Sequence, residues 1–186
     1  MSITDPCKKT FFPAYHNSGT RPLSAVTLIV LHSTEGGTAP SVARYFQEAS
    51  SGGSAHIVVD DKGCQRCVAD TTIPWGAPGA NDQGFHIEQC GYAAWTAHQW
   101  EQHLPELHRV AYKVAAASKR FRIPIRFCTP TDLAAGKRGV TTHHAVSRWQ
   151  TAIKAPGDHS HTDPGDGYPI DLVLALAAHY KKAMKS

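Results

Sequence analysis

The run Ala25-Val-Thr-Leu-Ile-Val-Leu31 is the strongest constraint in the sequence. A nearly continuous β-branched and leucine stretch has no polar face to offer water, so it reads as a central strand buried on both sides. Ala55 to Val59 and Cys64 to Ala69 read as a hairpin around the Asp60–Gly63 turn, and Gly84 to Cys90 as a further short strand. A helix is expected near Pro40 with Thr38 as its cap, carrying Val42, Tyr45, Phe46 and Ala49 on one side. A long helix follows Pro105, with Leu107, Val110, Ala111, Val114 and Phe121 near a 3.6 period. Asp171 to Lys185 reads as an amphipathic closing helix whose stripe is Ile170, Val173, Leu174, Ala177, Tyr180 and Met184. Residues 122–140 look loop-like, and residues 1–23 look like an irregular arm lying on a domain of residues 24–186. Strands interleaved with helices predict an α/β fold: one domain, with a central mixed β-sheet flanked by helices.

Bulk properties narrow the function. A chain of 186 residues with 41% hydrophobic and 18% charged residues supports one full core. Its apolar runs are too short to cross a bilayer, so no membrane insertion is expected. Met1 to Asp5 lacks the basic-then-apolar pattern of a secretory signal, which predicts synthesis in the cytoplasm without a signal peptide. The net charge of +4 suits an anionic polymer in general. Its dispersed Lys and Arg, with no recognition-helix pattern or aromatic–basic interleaving, argue against a nucleic-acid partner. Five cysteines form an odd, scattered set, and the lone Cys64-Gln-Arg-Cys67 reads as two reduced thiols in or beside a strand.

Three segments carry metal-capable residues. His32 ends the buried strand, where open α/β sheets gather ligands, although a core or capping histidine has the same appearance. The doublet His143-His144 follows a Gly-rich loop; if extended, its two rings face opposite ways. His159-Ser-His-Thr-Asp-Pro-Gly165 ends a long loop, but Asp-Pro-Gly is also an ordinary turn. Together, two histidines and a carboxylate from separate segments are the donor set of a catalytic zinc that keeps a position open for water. A hydrolase also needs a base. Glu88 is the better candidate because a carboxylate in a buried strand is costly unless paired or used. Glu35, in a wet and mobile Gly-rich loop, is the weaker one.

With these residues in hand, the chain resembles the type-2 N-acetylmuramoyl-L-alanine amidases, the superfamily that includes peptidoglycan-recognition proteins and many phage endolysins. The resemblance runs from about residue 24 to 176. It rests on Ile29-Val-Leu-His-Ser-Thr34, Ser54-Ala-His-Ile-Val-Val-Asp60, Pro74-Trp-Gly-Ala-Pro-Gly-Ala-Asn81, Phe85-His-Ile-Glu88, His143 and Thr162-Asp-Pro-Gly165, in that order. The Trp75 loop and the Glu88–Tyr92 run look most like endolysins of phages that infect actinobacteria.

The resemblance implies one zinc on His32, His143 and Asp163, with His144 as the alternative should the register slip by one. It implies Glu88 as catalytic acid/base, His161 as a helper for the developing oxyanion, and substrate contacts at Trp75, Asn81, Tyr92 and Thr162. The bond cut would join N-acetylmuramic acid to the L-alanine of the stem peptide. Relatives often carry Lys where His161 stands and His where Gly76 stands. Peptidoglycan is the implied partner, a monomer the expected state, and the wall the expected place of action after holin-assisted release. The competing readings are a non-catalytic peptidoglycan-binding module of the same fold and an amidase that recycles soluble muropeptides.

Overall fold

In the computed structural model, which describes residue 5 and residues 10–184, thirteen strands and α-helices follow one another. They are β1 (Asn17–Thr20), β2 (Leu28–Ser33), α1 (Ala39–Tyr45), β3 (Ile57–Asp60), β4 (Gly63–Arg66), β5 (Thr72–Pro74) and β6 (Gly84–Gln89), then α2 (Ala97–Glu101), α3 (Leu104–Phe121), α4 (Pro130–Ala134), β7 (Gly139–Thr142), α5 (His143–Ala152) and α6 (Ile170–Ala183). Five strands form one sheet in the order β4-β3-β6-β2-β7, parallel except for the β3–β4 hairpin. This is the mixed, helix-flanked sheet that the sequence predicts. β2 lies inside it, and all six of its residues are buried.

Alternation along the strands sorts the side chains. Ile29, Leu31, Phe85, Ile87, Ile57 and Val59 join the large core beneath α3 and α6. Its helical half is the predicted stripe: Leu107, Val110, Ala111, Val114 and Phe121 of α3 are buried. Burying each such Val, Leu or Phe contributes about 1.5–3 kcal/mol. The opposite face is divided. Leu28 and Val30 pack with α4 and α5 residues, and Val58 packs with Ala39, Ala43 and Phe46 around α1. Between these small cores runs a polar column of His86, His32 and Glu88.

Several local expectations are corrected. α1 has Thr38 as its cap, but the residues it buries are Ala39 and Ala43, while Tyr45 faces outward. The 122–140 stretch contains α4 and the start of β7, because Thr129 caps a short helix opened by Pro130. Residues 17–20 of the arm form β1, which pairs with β5. Nearer the N-terminus, Phe12 and Ala14 donate backbone hydrogen bonds to the Arg66 and Cys67 carbonyls. The arm's residues 1–4 and 6–9, and residue 185 of the expected last helix, lie outside the described residues. Cys64 is disulfide-bonded and only Cys67 of that pair is free, so the reading of two reduced thiols fails at Cys64. Among the described residues, no helix is long and apolar enough to cross a membrane.

Glu106, in the first turn of α3, is buried, and its Oε1 has no hydrogen-bond partner. Its carboxyl is pushed up to about 9, chiefly by burial. The folded protein therefore holds a proton there that the unfolded chain releases above about pH 4.5. Stability should fall as pH rises from that value towards 9, at up to about 1.4 kcal/mol per pH unit. Glu106→Gln removes this slope. Thermal melts at pH 5.5 and 8 should show the variant gaining on the wild type at the higher pH, and parallel curves would contradict it.

Candidate metal centre and cleft

The sheet register brings the reactive groups together. β2 and β6 pair in parallel with His32 opposite Glu88, so both side chains leave the sheet on the same face at its C-terminal edge. On the other side of β2, Leu31 pairs with Thr142, and the next residue is His143. Thr142 ends β7 and caps α5, its side chain accepting from the Ala145 N–H at 3.1 Å. The His143-His144 doublet is therefore the first turn of a helix and not an extended pair, which corrects that expectation. Successive helical residues diverge by about 100°. The His143 ring turns towards His32, at 4.9 Å between centroids, while His144 Nδ1 lies 3.4 Å from Asp166 Oδ1, outside the cleft lining.

Asp163 is held by its own backbone, whose carbonyl accepts from the His144 N–H at 2.8 Å. Its carboxylate then bridges the two rings: Oδ2 lies 3.3 Å from His32 Nδ1, and Oδ1 lies 3.0 Å from His143 Nδ1. Burial alone would raise this carboxyl, yet hydrogen bonds and charge from the two imidazoles together hold it well below the usual carboxylate range. Burial pulls His143 down. All three residues are buried and offer donor atoms within 4.8 Å of one another.

Glu88 stands over this group with Oε1 4.0 Å from His32 Nδ1, its side chain 15% exposed. Burial, then the carboxylates of Asp163 and Glu35, push it well above the ordinary glutamic acid value. Its Oε2 is buried and unpartnered. Two imidazole nitrogens and a carboxylate converging beside an unsatisfied buried carboxyl oxygen suit a divalent cation and its water, so the donor set fits zinc. A second grouping, Asp61, His103 and Glu106, is also compact. There both Asp61 oxygens are already engaged, by His103 Nδ1 and by the Glu106 N–H.

His161 stacks on His143 at 4.0 Å between ring centroids, with its Nδ1 3.9 Å from Asp163 Oδ1 and its side chain 44% exposed. Burial and the His143 charge lower its pKa. It thus borders both the donor cluster and solvent. Glu35 also faces the cleft, but its Oε1 accepts from Ser33 Oγ and the Ala93 N–H, both at 2.8 Å, so the loop is tied and not loose.

A cleft of about 560 Å³ opens above these groups. Trp75 forms one wall, its Nε1 donating to Ser18 Oγ at 2.8 Å and its ring stacked on His16. Val42, Tyr45 and Phe46 form the other. Asn81 reaches the lining, but its Oδ1 accepts from the Gly76 and Ala77 N–H groups at 2.9 and 2.7 Å, which shapes the Trp75 loop. Tyr92 and Thr162 lie outside the lining: Tyr92 covers Gly36 and packs on Trp95, and Thr162 borders a separate hollow with His144. Sequence reasoning missed the arm residues His16 and Ser18, the α1 wall, and His86. Only His86 left a signal, a histidine in an otherwise apolar strand after Gly84.

The chain matches the family described as N-acetylmuramoyl-L-alanine amidase over residues 22–166. No curated protein sequence matches it significantly. Among solved structures it is similar to Staphylococcus aureus hydrolase AmiA in complex with its ligand, at a TM-score of 0.72 and 15% identity, over 97% of this chain and 88% of that one. It is also similar to a mutant endolysin from Bacillus subtilis (TM-score 0.54, 17% identity, 94% and 97% covered). A third is the N-acetylmuramoyl-L-alanine amidase LysC from Clostridium intestinale (TM-score 0.52, 11% identity, 90% and 97%). At these identities the structures speak to the fold alone.

If Asn81 shapes its loop, Asn81→Ala should destabilise the protein by about 1–3 kcal/mol, the cost of leaving part-buried backbone donors unpaired. Chemical denaturation measures it. An unchanged midpoint would mean that Asn81 is free for another role.

Proposed function

This chain belongs to the N-acetylmuramoyl-L-alanine amidase family, and from that premise we propose that it is a zinc-dependent amidase. Its substrate is the wall glycopeptide, cut between the lactyl group of N-acetylmuramic acid and L-alanine. The observation that carries the reading is the His32–His143–Asp163 cluster with the unpartnered oxygen of Glu88 beside it. His32, His143 and Asp163 would hold the ion. When bound there, zinc supplies Lewis acidity, which makes water a nucleophile near neutral pH and polarises a carbonyl.

The remaining work falls to the protein's own groups. Glu88 is kept basic enough by burial to take a proton from the attacking water and acidic enough to return it to the leaving alanine amine. His161, at the rim, donates a hydrogen bond to the oxygen where charge develops. Trp75 and Tyr45 present exposed rings across the cleft and would flank the sugar and peptide. The chain's positive charge favours approach to an anionic wall, as an endolysin's task requires.

Purified protein should carry one zinc, lost in His32→Ala, His143→Ala and Asp163→Asn but kept in His144→Ala; elemental analysis decides. Chelation should abolish clearing of isolated walls and zinc should restore it. A metal-free protein with undiminished activity would sink the proposal. Glu88→Gln should retain fold and zinc yet lose about 10²–10⁴-fold in turnover; if it keeps more than a tenth of the wild-type rate, another group is the base. His161→Ala should lower turnover while metal content stays at one per chain. Loss of metal instead would make His161 a ligand, and full activity would leave it without a role in the reaction.

A further inference from the structure

His86 is wholly buried in the middle of β6, on the same sheet face as His32 and Glu88. Its Nδ1 lies 2.9 Å from His32 Nε2. Its Nε2 points at the carbonyl oxygen of Ala80, 3.4 Å away. A carbonyl only accepts, so the ring's proton belongs on Nε2. In a neutral ring Nδ1 is then bare and can only accept. His32 can therefore donate to it through Nε2–H; Asp163 draws a proton to His32 Nδ1 while no metal is bound, and a metal would take the Nδ1 lone pair in that proton's place. That Nδ1 is the atom facing Asp163.

The ring has little room to turn. A Cβ at Gly76 would come within 2.4 Å of His86 Nδ1, and one at Gly84 within 2.4 Å of Nε2. Neither glycine has the positive φ that would demand glycine for backbone reasons, so space against the imidazole is what these positions provide. From behind, His56 Nδ1 accepts the His86 backbone N–H at 3.0 Å. Arg21 braces the same loop through Nη1 to the Asn81 and Asp82 carbonyls and Nη2 to that of Gly84.

We infer that His86, seated between Gly76 and Gly84, is a positioning residue that fixes the Nε2–H tautomer and orientation of His32 so that His32 Nδ1 is presented to the metal. The inference rests on the zinc reading above. A partner that sets a ligand histidine's tautomer typically changes metal affinity by about 10–100-fold. His86→Leu, which keeps bulk but loses the acceptor, should weaken zinc binding by that factor. His86→Asn, whose Oδ1 can accept the same hydrogen bond, should recover most of it. Gly76→Ala leaves His86 in the chain but pushes on its ring, and should weaken zinc binding in the same direction.

The test pairs zinc affinity by chelator competition with nitrogen-15 NMR of the histidine rings in the zinc-loaded proteins. Wild type should show His86 protonated on Nε2, with its bare Nδ1 accepting the His32 Nε2 proton, and the Leu variant should lose that hydrogen bond at His32. A wild-type His86 protonated on Nδ1 overturns the inference with no variant needed. So does a Leu variant that binds zinc as tightly as wild type. If wild type binds no zinc at all, the amidase reading fails on its own, while the His86 tautomer in the metal-free protein still judges whether His86 can accept from His32.

Discussion

The hydrogen-bond register between β2 and its two parallel neighbours decides where every reactive group stands. His32 lies beside Glu88 because Leu28 pairs with Gly84 and each later pair follows in step. His143 lies beside both because β7 ends opposite Leu31, one residue short of His32. A slip of one residue would send His32 into the core under α3 and bring Leu31 into the cleft. The register is therefore guarded by the burial of Ile29, Leu31, Phe85 and Ile87 on the far face. The same apolar alternation that stabilises the sheet also aims its chemistry.

The near face is built differently. Its apolar cover is broken into two small clusters, and the gap between them is filled by imidazoles and carboxylates that would be costly to bury unpaired. Most are paired. His32 is held by His86 and Asp163, Asp163 by two rings, and Glu35 by Ser33 and Ala93. The exception is the Glu88 oxygen, and it faces the donor cluster. Loops close the frame, with Asp163 anchored on the first turn of α5 and the Trp75 loop on Arg21 and Asn81.

The sheet and its long helices were legible because their patterns are local: an unbroken apolar run for β2, a 3.6 period for α3 and α6. The His32–His143–Asp163 group was legible through its motif order, and Glu88 through the oddity of a carboxylate in an apolar strand. What escaped depends on tertiary contact. The helical start at His143 follows from a cap by Thr142 that a Gly-rich flank disguised. The arm reads as irregular, yet it supplies Ser18 to the cleft lining and stacks His16 on Trp75 because β1 finds β5 far along the chain. The resemblance implies a substrate contact at Tyr92, but its ring is drawn onto Gly36, where the absence of a side chain leaves room for it. The Cys64 bridge gave no pairing signal in an odd, scattered cysteine set.

The bond that the enzyme cuts is the claim on which the rest depends. Isolated peptidoglycan digested with the purified protein, then analysed by mass spectrometry, reads it directly. The account predicts free stem peptides beginning with an L-alanine amine, alongside glycan strands that retain intact lactyl carboxyl groups. New reducing sugar ends, cleavage within the peptide, or binding to the wall with no product released would contradict it.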